Sequence, residues 1–224
     1  MKNEIDAIVM ATIKQGILGG FSGLVGNVVG SSWKSRAVIK SRPLHVHDPK
    51  TAKQLLSRAR FATVQHLASV VGLSTINAGF HSKSRYMTES NYFFKCNYDA
   101  VTGFDADNLD VDYSKVVVAE GRLPGVAVTQ NAASEDPLSA HVAWVDVSDL
   151  DSSAGDMVRI VALDPEQGTS VAFSANRSTR EADVTLPAFM KGHTVHFYLF
   201  VLGMGATTVG MVSNSVYAGK AVIA

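Results

Sequence analysis

A single cysteine, Cys96, occurs in the 224 residues. That excludes an internal disulfide framework and a thiolate-based metal cluster. The first six residues, MKNEID, put two acids where a secretion signal has a basic start and an apolar stretch, so no Sec-type export signal is expected. The longest apolar run, Gly16 to Gly30, is interrupted by glycine and falls short of the roughly 18 residues that cross a bilayer. There is no P-loop, dinucleotide fingerprint, nucleophile elbow or metalloprotease helix. With no motif that carries a reaction, the expectation is a non-enzymatic protein, with no cofactor, membrane span or small-molecule substrate.

Net charge is absent too, but unevenly. Residues 1–105 hold 13 Lys+Arg against 6 Asp+Glu, net +7, and residues 106–224 hold 7 against 14, net −7. A dipolar chain of this kind reads as two units with different surfaces, suited to head-to-tail association of copies.

Glycine is plentiful near the front, at 16, 19, 20, 23, 26 and 30, interleaved with Ile, Leu, Phe and Val and followed by Trp33. Such density is costly in conformational entropy and is kept where backbones approach closely or turn with positive φ. Val25, Val28, Val29, Trp33, Val38 and Ile39 predict an arm of one or two strands, with a bulge or turn near Gly30-Ser31-Ser32. The close approach is expected from a sister subunit. The self-association set is Gly19, Gly20, Phe21, Gly23, Val25, Gly26, Val28, Gly30 and Trp33, with Phe61 from the following helix.

Asp48-Pro49 reads as a helix start, Asp as N-cap and Pro at the first helical position. Ala52, Leu55, Leu56, Ala59, Ala62, Leu67, Val70 and Val71 then recur at helical spacing, and Gly72 is a natural stop. Phe61, Val64 and Ala68 add a second apolar stripe, so this helix is expected to pack on two sides. A connector closes at Gly79-Phe80, and a shorter aromatic helix is predicted from Ser84 to Tyr98. The acidic stretch Gly103–Tyr113 reads as a linker. Its Asp105, Asp107 and Asp110 imitate a calcium loop but lack the loop glycine and terminal Glu of that motif.

Beyond it the chain alternates in short segments at Ser114–Glu120, Gly125–Gln130, Leu138–Val147, Met157–Asp164, Ser170–Asn176, Ala182–Leu186, Thr194–Val201 and Val209–Tyr217. Seven or eight such strands separated by turn residues predict a β-sandwich of immunoglobulin or fibronectin type III kind, with Trp144 in its core. The predicted fold is therefore mainly β with α. Residues 1–104 form the Gly-rich arm and helices, and 105–224 the sandwich.

Candidate chemistry is sparse. His45 and His47 share a strand face next to Asp48, but Asp48 serves as a cap and no third ligand is indicated, so no metal site is expected. His193 and His196, three apart on a strand, point to opposite faces. Cys96 with His66 or His81 has the composition of a nucleophile pair, yet nothing marks a reactive thiol and a buried structural cysteine is expected. Lys34, Arg36, Lys40, Arg42, Lys53, Arg58 and Arg60, with Trp33 and His45 among them, offer a nucleic-acid-binding alternative. A surface- or carbohydrate-binding role for the sandwich loops is the other.

The block GILGGFSGLVGNVVGSSWK at 16–34 with Arg42-Pro43, then KQLLSRARF at 53–61, MTESNYF at 87–93, VHFYL at 195–199 and SNSVYAG at 213–219, resembles a bacterial family known only as a domain of unknown function. The block order is similar to that of proteins met in phage and prophage particles. The resemblance itself implies no activity; the glycine-dense arm, the two-sided helix, the charge dipole and the lack of a catalytic set lead to the expectation of a homo-oligomeric structural protein of a phage-like virion or a bacterial surface assembly, working with copies of itself or neighbouring structural proteins.

Overall fold

The computed structural model describes residues 11–13, 19–33, 35–43, 48–83, 87–133, 137–147 and 155–224, with backbone alone for 131–133. They fall into two compact units, 1–50 and 51–224.

The first unit is a four-stranded antiparallel meander of β1 (Thr12–Ile13), β2 (Phe21–Val25), β3 (Val28–Trp33) and β4 (Arg36–Ser41). Gly26, at φ +56, opens the two-residue reversal between β2 and β3, the place where tight hairpins take glycine. The second reversal lies between Trp33 and Arg36, where Ser35 adopts φ 65. The turn expected near Gly30-Ser31-Ser32 is thus displaced, and those residues lie inside β3. Gly30 has another task. A Cβ there would sit 2.4 Å from the Phe21 carbonyl oxygen and 2.5 Å from its ring, because the start of β2 folds across β3.

The second unit contains a seven-stranded sandwich. One sheet runs β11 (Glu181–Thr185), β8 (Ser139–Asp146), β7 (Val126–Ala133); the other runs β10 (Thr169–Asn176), β9 (Met157–Asp164), β12 (Thr194–Leu202), β13 (Val216–Val222). This is a fibronectin III-like β fold. Trp144 on β8 is sealed between the sheets with Val142, Ile160, Phe197 and Leu199. Its indole N–H donates to the Arg177 carbonyl at 3.2 Å. Arg177 is itself buried, donating to Asp146, to the Pro124 carbonyl at 3.0 Å and to the Gly125 carbonyl at 3.1 Å, with buried Asp156 alongside. A buried guanidinium is tolerated because its donors are met.

One expected strand is absent and another is displaced. Ser114–Glu120 is a short 3-10 turn, Tyr113–Lys115, followed by irregular chain. Its alternation reflects burial of Val116 and Val118, while its backbone bonds go to the side chains of Asn97 and Ser215 and to single backbone groups of Gly79 and Ser215, not to a ladder. In Val209–Tyr217 regular pairing begins only at Val216; earlier residues form turns and isolated bridges at Val212 and Ser213.

Helix α1 (Ala52–Val71) is capped by Thr51, whose hydroxyl accepts from the Gln54 N–H while the Gln54 side chain returns to the Thr51 N–H. This reciprocal box satisfies two orphan donors and fixes the start three residues beyond Asp48. Gly72 ends α1 as expected, but α2 (Leu73–Phe80) replaces the predicted connector. The aromatic helix α3 (Glu89–Asn97) begins later than predicted, capped by Thr88. α1 packs on the outer face of the sheet at β9 and β10, with α2 and α3 against it, and Val64, Leu67, Ile76, Phe80 and Phe93 share a core with Val161, Leu163, Tyr198 and Phe200.

The helices therefore belong with the sandwich, and the division expected at 104/105 is drawn instead between 50 and 51. Gly103–Tyr113 is correspondingly no linker. It closes a small hairpin of β5 (Val101–Thr102) and β6 (Asp110–Val111), held to α1 by the Arg60 guanidinium donating to the Gly103 carbonyl at 2.8 Å.

Candidate functional site

Strand register sorts the side chains of the first unit onto two faces. Val25, Val28 and Ser41 align across β2–β4, as do Gly23, Gly30 and Ile39, and Ser32 faces Ala37. Among the described residues this face carries no charge. Phe21 folds over its centre at Gly30, and Val25, Val28 and Ile39 around it are 54%, 39% and 66% exposed. The opposite face aligns Leu24, Val29 and Lys40, then Ser31 and Val38, then Trp33 and Arg36. Trp33 is half exposed there. A sheet stabilises itself by burying one face against another element, and among its described residues only Gly30 is buried.

The glycine set divides accordingly. Gly30 is filled by Phe21 of the same chain, and a Cβ on Gly20 would lie 2.8 Å from the Ala37 side chain, again of the same chain. Close approach at these two positions is thus intramolecular. Gly26 serves a turn, and Gly19 lies outside the strands. Phe61, from the second unit, is half exposed and tilts against Phe94 with ring centroids 4.6 Å apart.

The basic residues of the nucleic-acid alternative are divided between the two units. Arg36, Lys40 and Arg42 belong to the first unit, and Lys53, Arg58 and Arg60 to the second, where Arg60 is engaged with Gly103. Lys34, His45 and His47 lie outside the described residues.

Cys96 donates its thiol proton to Glu120 at 3.4 Å, and Glu120 also accepts from Lys83 at 2.9 Å and Tyr92 at 3.3 Å. Burial first, then the neighbouring carboxylate, pushes the Cys96 thiol up to about 12, while the Lys83 hydrogen bond holds Glu120 below its ordinary range. A thiol so raised is a poor nucleophile at neutral pH. This places Cys96 as a packing residue that ties α3 to the chain beneath it. His193 and His196 also part company. His193 pairs with buried Asp164 at 2.8 Å and is raised by it; His196 is pulled down to about 4 by burial and by Lys220.

His196 belongs to a cleft that no local motif announced. The hairpin β5–β6 and the turn after it lie over the outer face of β12 and β13, leaving a space of about 440 Å³. Tyr113 stacks on the His196 ring at 4.3 Å, and His196 Nδ1 shares a hydrogen bond with the Tyr217 hydroxyl at 2.9 Å. Lys220 stands directly across from His196 in the β12–β13 register, and Asp110 enters from β6. Beneath them the Tyr198 hydroxyl donates to the Tyr113 carbonyl at 2.8 Å, fixing the turn that supplies the stacked ring.

The model of a family described as "Family of unknown function (DUF6266)" matches residues 20–219. No protein of curated function matches the chain. Among solved structures, the fibronectin type III domain of human collagen alpha-1(XX) is similar over 47% of this chain and 89% of its own, at 17% identity and a TM-score of 0.32.

Proposed function

The chain belongs to DUF6266, and we propose that it is a non-enzymatic assembly protein whose front sheet joins a second copy of itself. The charge-free face of β2–β4 carries this reading. Among its described residues there is no carboxylate or ammonium to recognise a polyanion or a charged peptide, and under a two-fold axis it meets its own image without repulsion. Arg36 and Lys40 on the edge strand β4 disfavour edge-to-edge strand addition, which leaves face-to-face stacking.

Magnitudes set the expected strength. Completing the burial of a half-exposed Val or Ile yields about 1 kcal/mol, half of the full transfer value. Val25, Val28 and Ile39 from each of two copies then give about 6 kcal/mol, against an association cost of roughly 4–15 kcal/mol. Pairing through this face alone is weak, and a stable assembly requires the Trp33 face to be covered as well. Light scattering over a concentration series tests this: the mean mass should rise with concentration in the wild type and stay monomeric in Ile39→Lys. A wild type that is monomeric throughout, or an Ile39→Lys variant that associates equally well, contradicts the proposal.

A further inference from the structure

The geometry points to the cleft between the β5–β6 hairpin and strands β12–β13 as a binding site for a neutral saccharide. The inference is independent of self-association, since every residue it uses lies in the second unit. At about 440 Å³ the cleft is within the range of roughly 300–1,000 Å³ typical of small-molecule sites.

Its unspent polar groups define the chemistry. Asp110 commits one carboxylate oxygen to the Val111 N–H at 2.8 Å, and its second oxygen accepts nothing among the described residues. Lys220 makes no hydrogen bond or ion pair among them and supplies up to three donors. His196 has one ring nitrogen tied to Tyr217, and the other is neither bonded nor sealed from solvent. The cleft thus presents an acceptor, a donor and a ring nitrogen whose role follows its tautomer. A hydroxyl both donates and accepts, so a polyol satisfies all three whichever tautomer is present.

Charge points the same way. Asp110 and Lys220 carry opposite formal charges, and Asp112 is paired with Lys115 at 2.8 Å and accepts from the Ser114 hydroxyl. No surplus charge remains to select an anion or a cation. The Tyr113–His196 stack and Tyr217 add a rigid, partly apolar wall of the kind that receives the C–H face of a sugar ring. The strand positions of His196, Tyr217 and Lys220 hold that wall in place before any ligand arrives.

The test is saturation-transfer NMR on the full chain with maltose, cellobiose, lactose and diacetylchitobiose, and glucuronate as acidic comparator. At least one neutral disaccharide should bind and shift the His196 imidazole resonances. Asp110→Asn and Lys220→Met, each with unchanged melting temperature, should weaken that binding roughly tenfold or more, as expected for lost hydrogen bonds to charged groups. Absence of binding by all four disaccharides, preference for glucuronate, or binding untouched by both substitutions would each overturn the assignment.

Discussion

The two units of this protein solve the same problem in opposite ways. In the second, β9 and β12 are buried on both faces, by the facing sheet on one side and by the helices on the other. In the first, a sheet of similar strand content leaves Val25, Val28, Trp33, Val38 and Ile39 in water. The difference teaches that apolar residues in a strand do not by themselves mean an internal core. In the second unit they are buried within the chain, whereas in the first they stay exposed.

Four experiments press on that contrast. The largest effect belongs to the closed unit: Trp144→Ala empties the centre of the sandwich and should cost about 3–5 kcal/mol in chemical denaturation. Arg177→Met removes the guanidinium that donates to Asp146 and to the Pro124 and Gly125 carbonyls and takes the cation from beside buried Asp156, with an expected loss of about 3 kcal/mol or more on the same measurement. Equal sensitivity at Ile39 would erase the distinction between the units.

The third is a pH dependence. His196 holds its proton less well folded than unfolded, so between the ordinary value of 6.5 and about 4 the unfolded chain binds a proton the folded chain refuses. Stability should therefore fall as pH drops through that window, and His196→Gln should flatten the melting curve there. His193 has the opposite sign. Raised by Asp164, it contributes fully below 6.5 and loses that contribution as pH rises through its folded value, so His193→Gln should destabilise most at acid pH. The smallest effect is chemical: with its pKa pushed up to about 12, Cys96 should resist alkylation at pH 8 until the chain unfolds. Rapid labelling of native protein would show that α3 opens.

The sandwich was legible because its strands alternate between turn residues, and Trp144 falls on an inward position. The helix layer was legible in principle. TVHFYLFVL at 194–202 is apolar at nearly every position, the mark of a strand covered on both faces, and reading it only as alternation left the helices assigned to the arm. Asp48-Pro49 is a stronger local cue for the start of α1 than Thr51 with Gln54, yet the reciprocal bonds of the latter pair set the cap. Close approach is found at Gly20 and Gly30, whereas Gly26 serves a turn; composition cannot say whose side chain fills the space, and at Gly30 it is Phe21 of the same chain. The cleft drew no signal, since Asp110, Tyr113, His196, Tyr217 and Lys220 come from separate stretches that only the β12–β13 register and the covering hairpin bring together.

Hydrogen exchange of the β2–β4 amides, followed across a concentration series, tests the central claim most directly. Protection in Gly23–Val25, Val28–Trp33 and Arg36–Ser41 should climb with concentration while that of β9 and β12 stays constant. Protection of the front sheet that is independent of concentration would contradict the account, because the sheet would then be stable without a second copy.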